Sequence, residues 1–336
     1  MNVNAVIRAS LFFTISITLG EICNIHQTVL CVFLGPAIIS GHKFSSRVST
    51  VFIARIFGTV VLGNLVGEVF YTNQLFGIVI SALLFWGLLT YIKYPSKILA
   101  YTSPIFLYCY AFINTTSGVL VENTIYELFQ TVTFMLPIGW LCFRLFPSHG
   151  ALSKRSQPKQ EHPISEPHKL LIVGLITCAL TTFLAFEISG AIFCLSVVIN
   201  VALRSSIKKG KTVIASIFPV QITGCLIGVL FHFLMLGHPN NIALFSVLLF
   251  IFTSIVHYFS FNKELRHKDI PNFEVGFMSA VLVPVTLYTH SNGFNIEPFI
   301  ERSFDMACIW VILKIVTFVV LQVKNKSAPQ RTTASA

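Results

Sequence analysis

Long apolar runs separated by short polar gaps fill this chain from end to end. Twelve of them stand out, at residues 5–24, 27–41, 50–71, 75–92, 98–113, 126–146, 169–187, 189–203, 212–236, 240–261, 273–290 and 303–323. Most approach the roughly 20 residues that an α-helix needs to cross about 30 Å of hydrocarbon. The second and eighth have about 15 residues each and follow tight turns, which suits a tilted or partial span. No run alternates apolar and polar positions as a barrel strand does, and backbone groups in lipid must bond within their own segment. The pattern predicts an all-α, polytopic membrane protein with about 12 transmembrane helices.

Composition agrees. Hydrophobic residues make up 54% of the 336 and charged residues 11%, and mean hydropathy is +0.78. A soluble domain carries about 25% charged residues. The few cations fall in alternate gaps. One set holds Lys43 and Arg47; Lys93 and Lys97; Arg144, Lys154, Arg155, Lys159 and Lys169; Arg204, Lys208, Lys209 and Lys211; and Lys263, Arg266 and Lys268. Arg8 precedes them, and Lys324, Lys326 and Arg331 follow. The intervening gaps, at 24–27, 72–74, 114–125, 188 and 237–239, hold neither Lys nor Arg; Arg302 alone breaks the pattern. Positive charge in short loops resists translocation, so the first set and both termini are expected in the cytoplasm. The net charge of +10 therefore reports topology. Cations spread over short loops do not make a nucleic-acid surface, and the lipid bilayer is the expected partner. Arg8 is the one cation at the start of the first run, which shows no small-residue cleavage site and reads as a retained helix.

The polar, Pro-rich stretch 147–168 divides the runs six and six. It reads as a flexible cytoplasmic linker between a first membrane half, 1–146, and a second, 169–326, with 327–336 as a flexible tail. An even number of spans per half means that both enter the membrane in the same direction, as a parallel repeat. Glu21-Ile22 and Glu187-Ile188, Gly58 and Gly224, and Lys43 and Lys209 share one offset of 166 residues. Gly58, Gly63, Gly67, Gly224 and Gly228 are small enough to let helices approach closely.

Ionisable groups at membrane depth are costly and are the first functional candidates. Lys314 lies about nine residues from the cytoplasmic end of the last run, roughly 13 Å deep. It must meet a cavity, a substrate anion or a structural carboxylate. Glu21, Glu187, Glu68 and Asp305 lie near the outer ends of their runs, where each is either a solvated cap or a proton carrier. Arg55 lies about one turn inside the cytoplasmic end of the third run, where it either snorkels or binds an anion. His232, His257 and His290 are interfacial residues or proton relays. Pro36, Pro104, Pro137, Pro219 and Pro284 favour kinks. The eight Cys form no Cys-x-x-Cys pair, and no nucleotide loop or hydrolase motif appears. The chain is therefore read as using no metal, no cofactor and no catalytic residue; work against a gradient needs an ion gradient or an energised partner.

The run Arg55-Ile56-Phe57-Gly58-Thr59-Val60-Val61-Leu62-Gly63 resembles the Arg-x-x-Gly-Thr-x-x-Gly signature of the fusaric acid resistance and aromatic acid exporter superfamily. One extra residue separates Thr59 from Gly63. The preceding hairpin, Arg8 to Pro36, is similar to that family too, while in the second half Gln221 stands where Arg55 would be. The large soluble domain that many relatives carry between the halves is absent here. The resemblance implies a bacterial inner-membrane exporter of aromatic carboxylate anions, acting beside a periplasmic membrane-fusion adaptor. Lys314 and Arg55 would then hold the anion, and a carboxylate would carry the coupling proton. Gly58, Thr59, Gly63, Gly224 and Gly228 would be the helix-packing motif, and a homo-oligomer is allowed. Two other classes compete: a non-transporting subunit of an envelope or secretion assembly, and an intramembrane transferase, for which His290 and Glu297 are loose candidates.

Overall fold

The computed structural model describes residues 3–23, 25, 28–39, 44–92, 94–147, 164–185, 192–203, 207–238, 241–261, 280–286, 299–308, 310–311 and 314–315. Among them the regular structure is entirely helical. The helices are α1 (Val3–Ile22), α2 (Leu30–Ile39), α3 (Ser46–Val69), α4 (Gln74–Tyr91), the short α5 (Pro95–Ile98), a 3-10 turn (Leu99–Tyr101) and α6 (Thr102–Thr116). Then follow α7 (Val121–Leu145), α8 (Glu166–Ala185), α9 (Ile192–Ala202), α10 (Ile207–Met235) and α11 (Ile242–Phe261). Helical backbone continues at 280–286 and 299–308. Six of these helices, α1, α3, α4, α7, α8 and α11, are long and apolar enough to cross a membrane. Outward-facing Leu65, Leu83, Phe129, Trp140, Ile251 and Ile255 are exposed, as lipid contact requires.

The second and eighth runs shorten on folding. α2 has 10 residues and α9 has 11, so each is about 15–17 Å long, half the hydrocarbon thickness. Both are enclosed, α2 against α1 and α7, and α9 against α8, α6 and α10. A helix too short to span is tolerated where protein, not lipid, surrounds its ends.

α6 lies in the core. Its residues Pro104–Ile113 are all buried, because α3, α7, α8 and α9 surround it. A helix apolar on every side belongs in a core. Its polar groups meet partners across the packing: the Ser81 and Tyr108 hydroxyls are 2.8 Å apart, and Thr115 donates to Asn64 Oδ1 at 3.0 Å. The helix ends where Gly118 turns to φ +83°. There the Gly118 N–H bonds Thr115 O at 3.1 Å and the Val119 N–H bonds Asn114 O at 2.9 Å, the two bonds of a Schellman stop.

α3 lies so close to α6 that side chains must be absent at the crossing. A Cβ on Gly63 would sit 2.5 Å from Tyr108 O, and one on Gly67 2.8 Å from Thr115 Cβ. α10 makes similar close approaches: a Cβ on Gly224 would strike the Ala280 carbonyl, and one on Gly228 would approach Phe299 and Pro284. Thus Gly63 and Gly67 correspond to Gly224 and Gly228 by their contacts. Gly58, matched to Gly224 on sequence offset, faces open space with nothing within 4 Å. Thr59 is half-buried, and its hydroxyl donates to Ile56 O of its own helix at 2.8 Å.

The orientation expected from loop charge has a direct check. Cys23 is exposed at the end of α1. In right-side-out vesicles an impermeant maleimide should label it without permeabilisation; labelling that appears after lysis alone would reverse the topology.

Candidate functional site

Helices from before and after residues 147–168 pack together where α6 meets α8 and α9, and in two further contacts, α1 on α11 and α4 on α8. The α1–α11 contact is polar. Ser10 Oγ lies 3.4 Å from His257 Nδ1, Thr14 Oγ1 lies 3.3 Å from Thr253 Oγ1, and Thr18 Oγ1 lies 3.2 Å from Ser246 Oγ. Rising numbers on α1 meet falling numbers on α11, so the helices are antiparallel. Ser10, Thr14 and Thr18 recur every four residues, which puts them on one helix face. Ser10, Thr14, Thr253 and His257 are all buried.

A cavity of about 370 Å³ opens at the other contact, between the α3–α4 corner and the end of α8. Tyr71, Thr72, Asn73 and Gln74 supply neutral polar groups, and Ile78 and Leu184 supply apolar walls. None of the predicted charged residues lines it. It lies where the loop-charge pattern puts the outer side.

The predicted site residues are not gathered in one place. Arg55 lies nine residues into α3, about 13 Å along the helix from Ser46. Its guanidinium sits 4.7 Å from the Tyr101 ring centre. Lys314 is exposed, with its ammonium 3.7 Å from the ring centre of Trp310, four residues earlier in the chain. Glu21 is half-buried at the end of α1 and accepts a 3.4 Å hydrogen bond from Thr28. Glu68 is exposed and Asp305 half-buried. Glu187, Lys43, His290 and Glu297 lie outside the described residues, as does most of the 147–168 linker. Among the described residues Lys169 and Glu166 form an ion pair at 2.7 Å, and none joins Arg55 or Lys314 to a carboxylate.

Two buried arginines had no assigned role. Arg8 packs its guanidinium 4.1 Å from the Phe143 ring centre. Arg302, the exception to the loop-charge pattern, is buried beside Asp305, so it does not stand in an outer loop. The hydroxyl face of α1 also escaped notice, although Ser and Thr every four residues inside an apolar run was its visible signal. No family model, no curated protein and no solved structure matches this chain.

Proposed function

We propose that this chain is a multi-pass carrier of the bacterial inner membrane that exports organic anions, aromatic carboxylates foremost, at the expense of the proton gradient. In this reading it has two parallel six-helix halves with both termini in the cytoplasm. The observation that carries the proposal is the reciprocal contact of α1 with α11 and α4 with α8. Such an exchange of equivalent faces is what a two-fold axis between like units generates. Carriers built from parallel repeats bind at that interface, near mid-membrane, and work by rocking one half against the other. The matched glycine crossings at Gly63 and Gly224 support the same symmetry.

The substrate class rests on the Arg55–Gly63 run. Arg55 beside Tyr101 supplies a cation and an aromatic face together. A guanidinium bonds a carboxylate while a ring stacks on the aromatic body. Glu21, at the outer end of the first helix, is placed to exchange a proton with water. A periplasmic adaptor would continue the path outward.

Export is tested by loading cells with labelled aromatic carboxylates and measuring efflux from wild type, Lys314→Met and empty vector at matched membrane expression. Wild-type efflux abolished by a protonophore is the expected result. Equal loss of label from wild type and empty vector, with adaptor supplied, rejects export of those compounds.

One observation favours a second reading. Lys314 is exposed, not enclosed between helices. A cation at membrane depth on an outer face suits a partner subunit that brings a carboxylate to it. Under that reading Lys314→Met abolishes co-purification of the partner.

A further inference from the structure

We propose that Arg302 anchors a buried oxyanion site, separate from the Arg55–Tyr101 pair, that takes the carboxylate of a small organic acid. The proposal deepens the carrier reading and rests on it for its physiological meaning.

The helical segment 299–308 carries the guanidinium into the protein. Phe299, Arg302 and Met306 are buried, while Ile300 and Phe304 are exposed. The buried three recur at spacings of three and four, which is one helix face. Arg302 therefore stands on the inward stripe of this helix and not on its lipid side. That stripe meets α10. A Cβ on Gly228 would lie 2.7 Å from the Phe299 ring, and the Phe299 and His232 ring centres are 6.3 Å apart. α9 closes another side: Cys194 is 0% exposed and lies within electrostatic reach of Arg302, of Asp305 and of Cys225 on α10.

Inside this enclosure the guanidinium keeps hydrogens that no protein atom accepts. Arg302 is 4% exposed, and both Nε and Nη1 are buried without a hydrogen-bond partner. Asp305, three residues on, is half-buried and interacts with the charge from a distance. It forms no ion pair with Arg302; among the described residues the ion pair is Lys169 with Glu166. Arginine cannot lose its proton to escape burial, and a buried cation with unmet donors is heavily penalised.

The missing partner is defined by what the donors need. It must bring negative charge and several lone pairs to a planar fork, which describes an oxyanion. The surroundings select among oxyanions. Phe299, Gly228 and Cys194 offer apolar or small surface, which suits the organic body of a carboxylic acid better than a hydrated inorganic ion. A lipid phosphate would approach from the Ile300 and Phe304 side, away from the inward stripe. In the carrier reading, the loop-charge pattern sets Arg302 toward the outer side and Arg55 toward the inner one. The two guanidiniums are then successive stations for one carboxylate.

The test is equilibrium binding of labelled benzoate to the full chain in phosphatidylcholine nanodiscs, made with wild type and with Arg55→Met to silence the first station. Saturable binding should survive Arg55→Met. Adding Arg302→Met should weaken that remaining binding about tenfold or more, the loss of one charged hydrogen bond. Methionine replaces the buried charge by an apolar chain, a change that interiors tolerate. Arg302→Lys, which keeps the charge and loses the fork, should fall between and decides the matter if Arg302→Met aggregates. Absence of saturable binding in Arg55→Met, or equal binding with Arg302→Met or Arg302→Lys, overturns the proposal. So does discs doped with phosphatidylglycerol in which Arg302, and not Arg302→Met, retains that lipid and benzoate does not bind, for the fork then serves a headgroup. Binding needs no transport: Arg302-dependent binding without efflux rejects the carrier reading and keeps the site, and efflux without Arg302-dependent binding does the reverse.

Discussion

Gly63→Val and Gly224→Val should each give protein that aggregates on extraction, or that melts at least about 5 °C below wild type. Gly58→Val should behave as wild type. At Gly63 the obstacle to a side chain is backbone: a Cβ would lie 2.5 Å from Tyr108 O. At Gly224 it is again a carbonyl, that of Ala280. Backbone cannot rotate aside as a flexible side chain does, so each crossing must widen. Widening at Gly63 pulls α3 from α6, whose buried Tyr108 and Phe112 belong to the same core as Ile56, Val60 and Val66. Overpacking costs about 1–3 kcal/mol where neighbours can relax, and here relaxation means moving a whole helix. Thermal unfolding of purified protein, followed by the elution profile after heating, reads the effect. Equal stability of all three variants would mean that the two crossings are not close-packed.

Arg55→Met should lower the initial rate of aromatic-carboxylate efflux about tenfold or more, with Arg55→Lys between it and wild type. A hydrogen bond to a charged group contributes about 1.5–3 kcal/mol, and about 1.4 kcal/mol is a factor of ten. Lysine keeps the charge but loses the planar face that lies over Tyr101. Tyr101→Leu should weaken transport of aromatic anions more than that of aliphatic ones of similar size. Unchanged efflux in Arg55→Met, at equal membrane expression, would reduce Arg55 to a packing residue and move the anion elsewhere. Lys314 is the weaker candidate on geometry, because its ammonium lies over Trp310 on an exposed face.

Run length was readable because it acts one segment at a time: a helix spans hydrocarbon by its own length. The runs at 5–24, 50–71, 75–92, 126–146, 169–187 and 240–261 correspond to α1, α3, α4, α7, α8 and α11. The third began four residues early, at Ser46, since a helix continues into the polar interface as long as its backbone can bond. The Gly58–Gly224 match followed a constant offset, which cannot register that the paired surfaces, not the paired numbers, are what folding aligns.

The amino-acid sequence by itself determined that this is a helical protein with several segments able to cross a membrane, because hydrophobic length and charge placement are local properties. It also marked Gly63, Gly224 and Arg55 as residues out of the ordinary. The tertiary structure alone decided which glycines touch backbone, that α2 and α9 are enclosed half-length helices, and that Ser10, Thr14 and Thr18 face Ser246, Thr253 and His257. The last of those facts depends on which faces meet across more than 200 residues of chain. Periodicity assigns a residue to a face of its own helix, but it carries no information on the neighbour that covers that face.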